Sequence, residues 1–165
     1  MLNYIDENTK TLVTEKFLNR RTSLELVINE KCQNACTYCY RKFKHNKSNI
    51  YSVDPKVVKT MMERLFDLLQ VDGIEFLKKR PVELFGGDAL LDYQQVKEIL
   101  RIIDTYSPPY ISIPTNSRLI SELSEHDIEA LFDINTKIGL SLSVDGSPTD
   151  TNRPLSKIGK MLAYD

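Results

Sequence analysis

Four short apolar runs alternate with helical patterns along this chain, and that alternation leaves few folds open to it. Leu24 to Asn29, Pro81 to Phe85, Tyr110 to Pro114 and Lys137 to Val144 each read as a strand. Between the first two runs, Asp54 is placed as a helix N-cap and Pro55 fills the first helical position. Val57, Val58, Met61, Met62, Leu65, Phe66 and Leu69 follow at helical spacing, which predicts one apolar face and a helix running to about Gln70. Asp92 opens the next helix, with Gln95 completing a capping-box variant, Val96, Ile99, Leu100 and Ile103 as its buried stripe, and Ser107-Pro108-Pro109 as its stop. Ser124 caps a third helix carrying Ile128, Leu131 and Phe132, and residues 155–164 begin a fourth. Strand and helix in strict alternation predict an α/β fold with a parallel sheet and crossover helices. Residues 1–22 are polar and read as an N-terminal extension, which leaves 23–165 as the domain.

In parallel sheets, functional residues gather at the C-terminal ends of the strands. Here the four ends carry the cysteine loop, Gly86-Gly87-Asp88, Thr115-Asn116 and Ser143-Val144-Asp145-Gly146. Thiols, glycines or polar groups thus recur at successive ends, the layout of one shared pocket. The first end holds every cysteine of the chain: Cys32, Cys36 and Cys39, spaced C-x3-C-x2-C. Three thiols cannot all pair as disulfides. The N-terminus MLNYIDENTK is not a secretory signal, so the expected compartment is the cytoplasm, where thiols stay reduced. No apolar run approaches a membrane span, and a formal charge of −1 gives no bulk attraction to nucleic acid or anionic lipid. Ligation of a metal or a cluster is the better use of the thiols, ahead of incidental places in a core, because Gln33, Asn34 and Thr37 between them are polar. Structural zinc with His45 as a fourth ligand is one form of it.

Three thiolates can also hold a four-iron cluster and leave one iron open to a ligand. Around such an iron, Gly86 and Gly87 let backbone approach closely, and Asp88 is placed to accept a hydrogen bond from an ammonium group. Asn116, Ser143 and Asp145 suit the hydroxyls of a ribose, and Arg153 suits a carboxylate. The set fits a zwitterionic amino acid joined to a nucleoside. Each residue also has an ordinary structural use: Asp88 as a helix-approach residue, Asn116, Ser143 and Asp145 in turns, and Arg153 on a solvated surface. Tyr38 is read as shielding the loop.

In these residues the chain resembles the radical S-adenosylmethionine (radical SAM) superfamily. The signature CxxxCxΦC has Tyr38 before its last cysteine. FGGDALL stands where GGE is usual, Thr115-Asn116-Ser117 where TNG is usual, and SVDGSPTDTNR is similar to the S-x-D-G…D-x-x-R segment of the SPASM-type, sulfatase-maturating branch that modifies peptides. The resemblance covers about residues 23–160 and implies a partial (β/α) barrel with outer helices, about four of the usual six units. It implies that Cys32, Cys36 and Cys39 ligate a [4Fe-4S] cluster, and that S-adenosylmethionine binds the fourth iron near Gly86, Gly87, Asp88, Asn116, Ser143, Asp145, Arg153 and Tyr38. One electron would then yield methionine and a 5′-deoxyadenosyl radical. Flavodoxin or ferredoxin is implied as electron donor, a peptide or protein as substrate, and sensitivity to oxygen follows from the cluster. No catalytic side chain is assigned. Asp88 is one methylene shorter than the usual Glu, and Ser117 replaces Gly.

Two further expectations complete the reading. The chain is expected to be a fragment, a split gene product or half of an assembly that needs a missing C-terminal portion or partner chain. The competing functions are a small radical SAM enzyme of nucleoside-precursor or activase type, and an inactive metal- or cluster-binding remnant.

Overall fold

β-branched and aromatic residues set the strands, and the residues that flank them set the limits. The computed structural model describes residues 22–34, 36–39, 52–116 and 118–144, together with Asp6, Asn8, Thr11 and Glu15. The first strand, β1, spans Leu24–Asn29. Helix α1 follows over Pro55–Leu69, then α2 over Gly73–Leu77, β2 over Val82–Gly86, α3 over Tyr93–Asp104, β3 over Ile111–Thr115, α4 over Glu125–Phe132 and β4 over Ile138–Leu142. The strands form one sheet in the order β1-β2-β3-β4, and every neighbouring pair is parallel. This is the α/β arrangement expected of a partial (β/α) barrel. The proposed extension over 1–22 and the expected helix at 155–164 fall almost wholly outside the described residues.

Helix α1 begins and ends as its sequence dictates. The Asp54 side chain accepts from the Lys56 N–H at 2.8 Å, Pro55 needs no donor there, and Gln70 closes the helix in the left-handed region at φ 54°. Only one edge of its predicted apolar face is buried. Met62 is 1% exposed and packs in the core with Val58, Phe66 and Leu69, whereas Met61 is 55% exposed and Val57 is exposed beside it. Residues at i and i+4 stack on one line of the helix, and the sheet covers only that line. Phe132 of α4 is likewise exposed, so Leu131 is the buried residue there.

The capping box at the start of α3 does not form. The Asp92 side chain makes no cap hydrogen bond, because its carboxylate takes Ser52 Oγ at 2.5 Å and Lys31 Nζ at 2.9 Å. Gln95 Oε1 accepts from the same Ser52 hydroxyl at 2.6 Å. These contacts tie α3 to the chain on either side of the cysteine loop. A 3₁₀ turn over Ala89–Asp92 precedes the helix. Helix α2 has no counterpart in the sequence reading.

One face of the sheet carries the core. Val82, Leu84, Ile111 and Ile113 are wholly buried against Val96, Leu100 and Ile103 of α3, and each such side chain contributes about 1.5–3 kcal/mol by leaving water. On the other face, Val27 is exposed and Glu83 and Phe85 are partly so, which leaves that side open among the described residues.

Pro114 shapes the sheet at the site. The Ile111 N–H of β3 bonds to Lys137 on the β4 side, so alternation aims the position of Pro114 at β2. Proline has no N–H to give. The β2–β3 register accordingly covers Val82↔Ile111 and Glu83↔Ser112 and goes no further, whereas β3 stays paired with β4 out to Thr115↔Leu142. The two central strands therefore part at their C-terminal ends.

Candidate functional site

The cysteine loop leaves the end of β1 and is held there by backbone. The Gly87 N–H donates to the Asn29 carbonyl at 3.2 Å and the Asp88 N–H to that of Lys31 at 2.7 Å. This close approach explains the two glycines. A Cβ at Gly86 would run into the Asn29 carbonyl oxygen, and one at Gly87 into that of Lys31. Gly86 also sits at φ 147°, where side chains are strained. The sequence reading had this backbone approaching a ligand. In the structure it approaches the first turn of the cysteine loop.

Cys36 is buried, Cys32 and Cys39 are half-buried, and all three are free thiols. A turn joins the last two through the Cys39 N–H and the Cys36 carbonyl, 3.1 Å apart. The Cys32 sulfur takes two donors: the Asn34 N–H at 3.4 Å and the Asn116 side-chain Nδ2 at 3.8 Å. Burial raises the Cys32 thiol above its ordinary pKa. The charges of Asp88 and Cys39 add to the rise, and the two N–H donors work against it. Tyr38 is 54% exposed beside the last cysteine. Among the described residues no three His, Cys, Asp or Glu side chains converge on one point as a single metal ion requires. A four-iron cluster takes one thiolate per corner iron, and three thiols on one short loop, Cys36 and Cys39 joined by a turn, are donors of that kind. N–H donors aimed at a ligating sulfur are part of how proteins hold such clusters. The donor set therefore fits a [4Fe-4S] cluster. His45 lies outside the described residues.

Asp88 is held by groups of the protein itself. It is 1% exposed, and its carboxylate accepts from the Leu90 N–H at 3.2 Å, from Thr115 Oγ1 at 2.9 and 3.1 Å, and from the Asn116 N–H at 3.1 Å. An ionised carboxylate has about four acceptor sites, and these three protein donors take up most of them. Asn116 is held in the same way. Its Oδ1 accepts from the Arg118 N–H at 2.9 Å, which leaves Nδ2 facing the sulfur. Ser143 lies at the end of β4 and donates its N–H to the Thr115 carbonyl at 2.9 Å. Asp145 and Arg153 lie outside the described residues.

One supporting residue, Asn29, has no role in the sequence pattern, and another, Thr115, is marked there only by its place at a strand end. Asn29 is buried and its Nδ2 donates to the carbonyls of Asp88 and Ala89, at 3.2 and 3.4 Å. Thr115 is the hydroxyl donor to Asp88. Asn29 had a visible signal, a polar residue closing the otherwise apolar end of LELVIN. Thr115 stood in the TNG-like strand end, but its partner, 27 residues away, did not show.

Comparison with known proteins follows the same lines. A family profile described as the Radical SAM superfamily matches residues 26–161. Members of that superfamily are enzymes that bind a [4Fe-4S] cluster and S-adenosylmethionine. The uncharacterized protein MJ0907 of Methanocaldococcus jannaschii is 32% identical over 146 residues, which cover 86% of this chain and 45% of that protein. The chain thus spans less than half the length of that relative. No solved structure matches it. Among the described residues no helix is long and apolar enough to cross a membrane.

Proposed function

Because the chain belongs to the radical SAM superfamily, we propose that it is the core of an enzyme that reductively cleaves S-adenosylmethionine to start radical chemistry on a peptide or protein. The observation that carries this reading is the meeting of three strand ends on one thiol loop, with N–H donors already aimed at Cys32. When bound, the cluster and S-adenosylmethionine supply one-electron chemistry that the protein has no side chain to perform. The chain's own residues bind, orient and shield.

In this reading Cys32, Cys36 and Cys39 are the metal ligands. Gly86 and Gly87 keep the end of β2 against the loop, Ser143 and Tyr38 border the cofactor, and Asp145 and Arg153 complete its binding set. Asp88 and Asn116 act from the protein side of the loop. The peptide-modifying assignment rests on the similarity of SVDGSPTDTNR to that branch. A flavodoxin- or ferredoxin-like electron donor, a peptide or protein substrate, and a further segment or partner chain that closes the barrel are the proposed partners. The proposed setting is the cytoplasm, away from oxygen.

Anaerobic reconstitution with iron and sulfide tests the reading. The expected outcome is about four irons per chain with broad visible absorbance, and dithionite-dependent release of 5′-deoxyadenosine from S-adenosylmethionine. Replacing Cys36 by Ala is expected to abolish both. Zinc without iron after anaerobic purification would rule the reading out.

A further inference from the structure

We propose that Asp88 is a positioning residue for the cysteine loop: its buried carboxylate fixes the end of β3 where the Asn116 amide meets the Cys32 sulfur, and this contact raises the reduction potential of the cluster that Cys32 ligates. The inference rests on the cluster-binding reading above and assigns a role to a residue that the motif alone would place on the cofactor.

Pro114 opens the gap that Asp88 closes. Without an N–H at that position, the β2–β3 ladder stops at Glu83↔Ser112 and the strand ends separate. Asp88 follows β2 directly and fills the opening. It bonds to its own turn through Leu90 and to the end of β3 through Thr115 and Asn116, so one carboxylate replaces the missing ladder bonds. Asn29 holds the same turn from the β1 side through the Asp88 carbonyl. All three strand ends are thereby registered against one another.

The orientation of Asn116 follows from this frame. Its backbone N–H is spent on Asp88 and its Oδ1 on the Arg118 N–H. The amide cannot flip without turning its oxygen toward sulfur, so Nδ2 is the end that faces Cys32. A donor to a thiolate sulfur favours the more negative, reduced state of a cluster and raises its potential. The length of the acid matters as well. The Asp88 carboxylate is enclosed at 1% exposure, and a Glu would carry an extra methylene into a space that Thr115 and Asn116 already occupy.

The test is an anaerobic redox titration of the reconstituted full chain without S-adenosylmethionine, followed by electron paramagnetic resonance, with S-adenosylmethionine affinity measured separately. Asn116→Ala is expected to lower the equilibrium constant for reduction about tenfold, which is 59 mV for a one-electron couple. Asp88→Glu keeps the charge and breaks the geometry, so it is expected to lower the potential in the same direction. The Asp88→Glu, Asn116→Ala double variant is expected to match Asn116→Ala alone. Thr115→Val removes one Asp88 partner at nearly constant volume and is expected to give part of the shift, which keeps the test open if Asp88→Glu fails to fold. Wild-type potentials in both Asn116→Ala and Thr115→Val would overturn the proposal. So would an Asp88→Glu protein with unchanged potential and tighter S-adenosylmethionine binding, the result expected of a direct ammonium ligand. If the wild-type chain takes up no cluster, the cluster-binding reading fails and this inference fails with it. A loaded wild type that cleaves S-adenosylmethionine, with variants of unaltered potential, overturns this inference alone.

Discussion

Gly87 occupies a position that no side chain can share, since a Cβ there would overlap the Lys31 carbonyl, and backbone yields far less readily than a flexible side chain. Gly87→Ala is expected to destabilise the chain by about 2–4 kcal/mol in urea denaturation and to lower iron uptake, because the cysteine loop must move to admit the methyl group. The residue types at the site were readable in the sequence, and so was their order along it. Their partners were not. Nothing in FGGDALL shows that the Asp88 carboxylate faces Thr115 and Asn116, which lie 27 and 28 residues further on. A motif names the group that arrives at a strand end. Which way that group turns depends on neighbours brought there by the sheet, and here on a proline that parts two of its strands.

Helices were legible wherever a cap and a long apolar period coincided. Asp54 with Pro55 and Ser124 with Asp127 cap as their sequences suggest, the second through the Asp127 N–H to Ser124 Oγ at 3.1 Å. Helix α2 spans too few residues to show a period, yet Asp72 and Glu75 stand at capping-box spacing, and the Asp72 carboxylate does accept from the Glu75 N–H at 2.9 Å. Asp92 illustrates the opposite error, since a cap residue with a lysine and a serine within reach is drawn away from its own helix. Within α1, two adjacent methionines have opposite environments. Met62→Ala is expected to cost about 2–5 kcal/mol through the cavity it leaves, and Met61→Ala to stay within about 0.5 kcal/mol of wild type, both measured by chemical denaturation. Equal effects would mean that the exposed edge of α1 is covered in solution.

Across the whole molecule, α3 is joined to the approach of β4 by one acid. The Asp104 carboxylate accepts from the Thr136 N–H at 2.8 Å and Oγ1 at 2.6 Å, and from the Asn135 N–H at 3.3 Å. Partial burial pushes its pKa up, but the donors of Thr136 and Asn135 outweigh that and hold it below the ordinary 3.8. A carboxyl depressed in the fold stabilises above its unfolded value, and the contribution is lost as pH falls through the folded value. Thermal unfolding of Asp104→Asn is therefore expected at lower temperature than wild type near neutrality, with the gap closing below pH 3.8. A gap independent of pH would show that the charge of Asp104 contributes nothing. The parallel sheet itself was legible from the strand–helix alternation; the face left open among the described residues was not, because Val27, Glu83 and Phe85 alternate with buried residues in a way that reads equally well as a surface or as an interior awaiting cover. The strand order has a consequence for the birth of the protein. Strands lie in space in the order in which they are made, so the thiol loop leaves the ribosome first and its outer walls follow. Asn116 is 84 residues behind Cys32, a delay of about 4–17 s at ordinary rates of synthesis. For that interval the three thiols stand without the third strand end, exposed to whatever oxidant or stray metal the cell contains. A cluster delivered before β3 has folded would reach a site that still lacks the Asn116 donor to Cys32.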